Sequence, residues 1–412
     1  MSLQETVSAE RIHIAWFGMR NAGKSSLVNA VTGQDVSIVS AVPGTTTDPV
    51  RKAMELLPLG PVLILDTPGL DDEGELGAMR VARTNRILAQ TDIAVLAVDA
   101  TVGFSEADTE LPAEFAKRSI PFVIAFTKAD LAGKELRAVR AQEAKALLSA
   151  EDTADRIVFT SAATGEGITA LKERLGAFAP EVTREKRIVT DLIAPGSAVI
   201  LVTPIDASAP KGRLILPQQM VLRELLDAHC TALVCQPEEL AEALGNLRTS
   251  PALVITDSQA FAKVSAVVPA DIKLTSFSIL FARYKGNLRS LVAGAEHIDA
   301  LRPGDRVLIA EGCTHHRQCE DIGTVKLPGW ISKRLGFAPE FSFTSGGDFP
   351  ENPAEYSLVI HCGGCTLPER EMQRRLAAAG EAHVPMTNYG VAIAYMNGIL
   401  PRSLAVFAGG DS

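Results

Sequence analysis

Short apolar runs alternate with longer amphipathic stretches over residues 11–178. HIAWFG, VLILD, IAVLAVDA, FVIAF and RIVFTSA are of strand length and apolar at nearly every position. Such runs predict strands buried on both faces, as in a largely parallel sheet. Between them, KSSLVNAVTG, MRVARTNRILAQ and KELRAVRAQEAKALL carry apolar residues at helical spacing. Strand–helix alternation of this kind predicts an α/β fold with helices on both faces of the sheet. The segment AFAPEVTREKRIVTD mixes proline and charge as a linker does, which sets a boundary near residue 184.

A smaller α/β unit is expected next, over residues 185–270. SAVILVTPID, ALVC, ALVITD and SAVVP read as its strands and QQMVLRELLDAHC as a helix. It has no glycine-rich phosphate loop of its own, which suits a packing or dimerisation module. A third unit, residues 271–412, begins near TSFSILFARYKG and contains RPGDRVLIAEGC, YSLVIHCGGC and the helical EREMQRRLAAAG. Both of its cysteine clusters follow apolar strands, and the carboxyl ends of parallel strands are where open α/β sheets bind ligands.

At 412 residues the chain is too long for one core, in keeping with three domains. A formal net charge of -9 argues against a nucleic-acid partner, whose phosphates require a basic footprint. No apolar run is long enough to span a membrane, and the N-terminus lacks the pattern of a secretory signal. A cytoplasmic location is therefore expected, where the 6 cysteines stay reduced.

GMRNAGKSS, Gly18 to Ser26, follows a predicted strand, opens a predicted helix and matches the phosphate-loop pattern at every position. Backbone N–H groups of Asn21, Ala22, Gly23 and Ser26 are expected around the phosphates, with Lys24 on the β and γ phosphates and Ser25 on Mg²⁺. DTPG follows VLIL and supplies Asp66 for the magnesium, through water, and the Gly69 N–H for the γ-phosphate. PGTTTDP lies where a switch loop belongs, and spacing selects Thr47, with Thr46 next, as its metal contact. In TKAD, Asp130 can accept from both N1–H and the N2 amino group of guanine, a pair that adenine lacks, so GTP is the expected nucleotide. Lys128 would pack over the base. Thr127 stands where the usual pattern has asparagine, and it cannot make both amide contacts. TSAATGEG supplies Ser161 and the Ala162 N–H for the base. Leu70 stands where Ras-like proteins carry a water-orienting glutamine, so hydrolysis needs another device. Asn21 together with PGTTTDP resembles the TrmE/Era-type GTPases, in some of which such an asparagine binds K⁺.

The thiols raise a separate question. EGCTHHRQCEDIG places Cys313, His315, His316 and Cys319 together, and HCGGC adds His361, Cys362 and Cys365. Soft donors in a reduced compartment favour zinc or an iron–sulfur cluster. A tetrahedral zinc site and a [4Fe–4S] cluster with one exchangeable ligand both fit the donor count. Cys230 and Cys235 lie among apolar residues and are expected to be small buried side chains.

GMRNAGKSSL, TPIDASAPKGRLILPQ, the C-T-H…H-C-G-G-C pattern and TNYGVAIAYMNGIL together resemble the HydF family of [FeFe]-hydrogenase maturation GTPases, over residues 10–408. The resemblance implies GTPase, dimerisation and cluster-binding domains, and a [4Fe–4S] cluster on Cys313, Cys362 and Cys365. His315, His361 and Asp321 are then the candidates for the fourth ligand. It implies a homodimer that assembles or carries a two-iron precursor and passes it to apo-[FeFe]-hydrogenase, working with the radical-SAM maturases of the same pathway. The rival expectation is an RNA-modification or ribosome-assembly GTPase with a structural zinc module.

Overall fold

The computed structural model describes residues 11–33, 50–66, 84–85, 87–148, 155–179, 187–205, 214–312, 322–346, 348–364 and 367–407. Of Val50, Arg51 and Asp66 it describes the backbone. The chain forms two compact units, residues 2–184 and 185–412.

The first unit is built on a six-stranded sheet of order β2-β3-β1-β4-β5-β6. Its strands are β1 (Ile12–Phe17), β2 (Val50–Leu56), β3 (Gly60–Asp66), β4 (Ile93–Asp99), β5 (Phe122–Thr127) and β6 (Ile157–Phe159). β2 runs antiparallel to β3, and the other pairs are parallel. The helices are α1 (Lys24–Thr32), α2 (Glu106–Lys117), α3 (Lys134–Leu147) and α4 (Ile168–Ala177). Ile14, Trp16, Val95 and Val123 pack with Leu27 and Val28 of α1 and Leu171 of α4. Their alternates Phe17, Leu96 and Phe126 pack with Phe115 of α2 on the opposite face. Burial on both faces is why these strands are apolar throughout. α2 starts at a reciprocal cap, in which Ser105 and Asp108 each satisfy the other's backbone N–H.

The second unit holds two four-stranded parallel sheets, of order β10-β9-β7-β8 and β12-β11-β13-β14. The first comprises β7 (Ala198–Val202), β8 (Thr231–Cys235), β9 (Leu253–Thr256) and β10 (Leu274–Ser276). The second comprises β11 (Arg306–Ala310), β12 (Glu340–Thr344), β13 (Leu358–His361) and β14 (Met386–Asn388). The longer helices here are α5 (Leu216–Asp227), α6 (Phe277–Lys285), α7 (Leu288–Glu296), α8 (Leu327–Leu335), α9 (Glu369–Glu381) and α10 (Tyr389–Met396).

Two expectations change. SAVVP is not a strand: Phe261–Val267 is helical, and its buried Phe261 and Val264 stand three residues apart, as a helix face requires. β10 belongs to the sheet of the middle segment, so the strand at the head of TSFSILF lies with the second domain and not the third. Cys230 is buried as expected, whereas Cys235, on the edge strand β8, is half-buried. Among the described residues no helix is long and apolar enough to cross a membrane.

Candidate functional site

The phosphate loop joins the end of β1 to α1. Gly18 has φ +135°, and a Cβ there would lie 2.2 Å from the carbonyl oxygen of Ala97 on β4. The loop therefore crosses the neighbouring strand at a distance that only glycine permits. Asn21 is exposed and left-handed at φ 62°. Lys24, at the first turn of α1, is buried, and its Nζ donates to the carbonyls of Gly18 (2.6 Å) and Met19 (2.7 Å). The ammonium is thereby held within the loop at the N-terminus of α1, where the helix dipole also favours an anion. Ser25 and Ser26 are exposed on the same turn.

Thr127 ends β5 and is 4 % exposed. Its hydroxyl donates to the carbonyl of Ala22 (2.6 Å) and lies 3.3 Å from that of Val98. The threonine thus ties β5 to the phosphate loop. Lys128, left-handed at φ 52°, reaches the same loop: its Nζ donates to Asn21 O (3.0 Å) and to Asp99 Oδ2 (2.6 Å). Partial burial pushes the Asp99 carboxyl up, but hydrogen bonds from Lys128 and Thr101 hold it below its ordinary value. Asp130 is exposed in the next turn, as a base-reading carboxylate must be.

The loop after β6 sits beside this turn. Ala129 N–H donates to Thr160 O (3.0 Å). Ser161 is buried, with its Oγ accepting from the Thr164 N–H (3.2 Å), and Ala162 is exposed. Arg137 of α3 joins the two loops, donating to the carbonyls of Ala129 (2.6 Å) and Ala132 (3.0 Å) and to the Glu166 carboxylate (2.6 Å). Sequence reasoning missed Asp99 and Arg137. Asp99 could have been found as the carboxylate ending an apolar strand, whereas Arg137 carries no sequence signal. Thr46, Thr47, Gly69 and Leu70 lie outside the described residues. The backbone of Asp66 pairs with Trp16 in the β1–β3 register, beside the start of the phosphate loop.

The thiol region is at the carboxyl end of the third sheet. β11 and β13 are adjacent and parallel, with Ala310 opposite His361. Cys362 N–H donates to Ala310 O (2.8 Å), so the segments leading to the two cysteine clusters leave the sheet side by side. Cys362 Sγ accepts from the Gly312 N–H (3.1 Å) and faces that of Gly364 (3.4 Å). N–H groups aimed at sulfur favour the thiolate form and are one of the ways a protein tunes a sulfur-ligated metal. Gly364 is left-handed at φ 61°, and a Cβ there would lie 2.6 Å from Met372 Sδ.

His361 is fully buried. Arg375 Nη1, always a donor, lies 2.8 Å from its Nε2, so Nε2 is the acceptor and Nδ1 carries the proton toward Cys362 O (2.7 Å). Burial, reinforced by the adjacent Arg375 charge, pushes its pKa down to about 3. With both nitrogens engaged, His361 presents no lone pair to a metal, and its expected ligand role is not met in this arrangement. Cys313, His315, His316, Cys319, Asp321 and Cys365 lie outside the described residues. Among the described residues no three metal-binding side chains are gathered.

Comparison with known proteins divides the chain in three. Residues 13–128 match the 50S ribosome-binding GTPase family, 188–286 the hydrogen maturase F dimerization domain, and 289–406 the hydrogen maturase F tetramerization domain. GTPase Der of Kosmotoga olearia is 32% identical over 189 residues, 45% of this chain and 42% of that protein. tRNA modification GTPase MnmE of Methylococcus capsulatus is 36% identical over 159 residues, 38% of this chain and 32% of that protein. The chain thus spans less than half the length of these curated relatives. A solved structure of Era, in complex with MgGDPNP and a segment of 16S ribosomal RNA, is 27% identical, with a TM-score of 0.33, covering 40% of this chain and 56% of that one.

Proposed function

The chain belongs to the hydrogen maturase F family, and from that premise we propose that it is a GTP-hydrolysing scaffold that carries an iron–sulfur centre for [FeFe]-hydrogenase maturation. The observation that carries the reading is the coexistence, in one chain, of a nucleotide frame and a thiol site at neighbouring strand ends. Lys24, Thr127, Lys128 and Asp130 converge on the phosphate loop and its base-reading turn. Cys362 and the backbone leading to Cys313 converge at the ends of β11 and β13.

The residues fit a sulfur-ligated cluster. Cys362 is a soft donor with two N–H groups facing its sulfur, on a loop with a left-handed glycine. Cys313, Cys362 and Cys365 would hold a [4Fe–4S] cluster, with His315 or Asp321 at the fourth iron. A cluster with one exchangeable ligand offers an iron at which a second iron unit can dock and leave. The two-iron precursor is then cargo, and apo-[FeFe]-hydrogenase is its recipient.

Hydrolysis would use Lys24 on the β and γ phosphates and Ser25, Thr47 and Asp66 around Mg²⁺, with Asn21 placed for K⁺ in the absence of a glutamine at Leu70. GTP binding does no iron chemistry in this reading. It shifts a conformational equilibrium of the switch loops that the hydrogenase or the other maturases read. Two measurements test this. GTP turnover should rise when K⁺ replaces Na⁺ and vanish in Lys24→Ala. Affinity for apo-hydrogenase should differ between the GTP, GDP and nucleotide-free states, and identical affinities in all three would remove nucleotide gating of delivery.

A further inference from the structure

α3 presents two arginines one turn apart to the loops at the carboxyl end of the first sheet. Arg140 Nε donates to the carbonyl of Ala100 (3.1 Å) and its Nη2 to that of Val102 (2.8 Å), in the turn after β4. Arg137 serves the base-reading side. Its Nη2 donates to Ala129 O (2.6 Å) and its Nε to Ala132 O (3.0 Å), so the guanidinium holds the carbonyls that flank Asp130 and Leu131. The same group grips both carboxylate oxygens of Glu166, at 2.6 and 3.1 Å. It also lies over the ring of Phe159, 5.8 Å from the centroid, at the end of β6.

Glu166 carries this hold to the second loop. Its carbonyl accepts from the Ser161 N–H (2.9 Å), and the Ser161 carbonyl accepts from the Gly165 N–H (2.9 Å). Residues 161–166 are thereby closed on themselves, with Ala162 exposed at the turn. Besides the backbone tie from Ala129 to Thr160, one half-buried side chain therefore sets the Asp130 turn against the loop of Ser161 and Ala162.

An ion pair this exposed adds little to stability. A planar guanidinium fork fixes orientation instead. Charge supplies a second reason. The Asp130 and Glu166 carboxylates repel each other, and each of them favours the charged form of Arg137. The Arg137 charge offsets that repulsion, so Asp130 has no cause to turn away from Glu166.

We propose that Arg137 is a positioning residue for guanine recognition, holding Asp130 at the angle at which its carboxylate meets both N1–H and the 2-amino group of the base. It acts through Asp130 and not on the nucleotide itself. A carboxylate left to pivot keeps a hydrogen bond to N1–H and weakens the second one. Loss of Arg137 therefore costs discrimination more than binding.

The inference rests on the reading of Asp130 as the base contact, and inosine diphosphate separates the two, because hypoxanthine keeps N1–H and O6 and lacks the 2-amino group. Dissociation constants of GDP and IDP are measured on the full chain for wild type, Arg137→Met, Arg137→Lys and Arg140→Met. Wild type should bind GDP about tenfold more tightly than IDP, the contribution of one hydrogen bond to a charged group. Arg137→Met should lower that ratio about threefold, chiefly by weakening GDP, as half the free energy of that bond is lost. Arg137→Lys has no planar fork to span both carbonyls and Glu166, and it should lower the ratio in the same direction. Arg140→Met should leave the ratio at its wild-type value. A merely structural role would weaken GDP and IDP equally. An unchanged ratio in Arg137→Met overturns the inference, and so does an equal fall in Arg140→Met. If Arg137→Met does not fold, the ratio in Arg137→Lys decides in the same way. Wild type that binds GDP and IDP alike would overturn the reading of Asp130 and the inference with it.

Discussion

In the proposed base-reading motif, Thr127 is buried and hydrogen-bonded while Asp130 is exposed. The usual asparagine at position 127 combines a tether and a base contact. Here the hydroxyl of Thr127 is committed to Ala22 O at 2.6 Å, and Lys128 adds a second tie at Asn21 O. The substitution thus preserves the order of the phosphate loop. Thr127→Ala should weaken GDP binding about tenfold, the loss of one to two kcal/mol that a buried hydrogen bond contributes. A fluorescent-nucleotide titration reads this, and unchanged affinity would deny the tether. Asp130→Asn should weaken guanine nucleotides about a hundredfold, since two hydrogen bonds to a carboxylate are lost. The same variant should gain affinity for xanthine nucleotides, whose carbonyl replaces the guanine amino group, and competition between GDP and XDP measures both changes. Asp130 could be proposed from sequence because the role follows from its own chemistry. The sequence did not reveal the contacts that Thr127 and His361 make, because each depends on a partner elsewhere in the chain: Ala22 for one, Arg375 for the other.

At the scale of elements, α9 is fastened under the thiol loop by its polar face. Glu371 and Arg375 are one turn apart and nearly fully buried. Burial pushes the Glu371 carboxyl up, but Arg374 and Arg375 hold it below its ordinary value. Arg375→Met should destabilise the second unit by about 3 kcal/mol, at the low end for breaking a buried ion pair because Arg374 remains on Glu371. For a unit of this size the melting midpoint should fall by ~6–12 °C. Adding Glu371→Gln should recover part of the loss, since a buried carboxylate that keeps only Arg374 as its partner is then neutralised. A double variant no more stable than the single one would mean that Arg375 acts by packing on Phe349, whose ring centroid is 5.1 Å away. The elements themselves were read unevenly. Strands buried on both faces, such as β4 and β5, announce themselves as apolar runs. Two of the edge strands do not: β2 reads VRKAMEL and β12 reads EFSFT, with polar residues interspersed.

Across the whole molecule, the GTPase domain was legible because loop chemistry at strand ends is local in sequence. The sharing of α6 between two cores was not, since its apolar residues look alike until the sheets they face are known. The same holds for assembly. The sequence suggested a homodimer, while the family match of residues 289–406 to a tetramerization domain indicates a higher order of association. The central claim is that the thiol site at the ends of β11 and β13 holds iron in a nucleotide-dependent scaffold. The measurement that tests it most directly is anaerobic reconstitution of the full chain, with metal analysis and reduced-state EPR on wild type and Cys362→Ala. The account expects about four irons per chain with a [4Fe–4S] signal in the wild type, and loss of both in the variant. Stoichiometric zinc that iron does not displace, or iron loading unaffected by removal of Cys362, would contradict it.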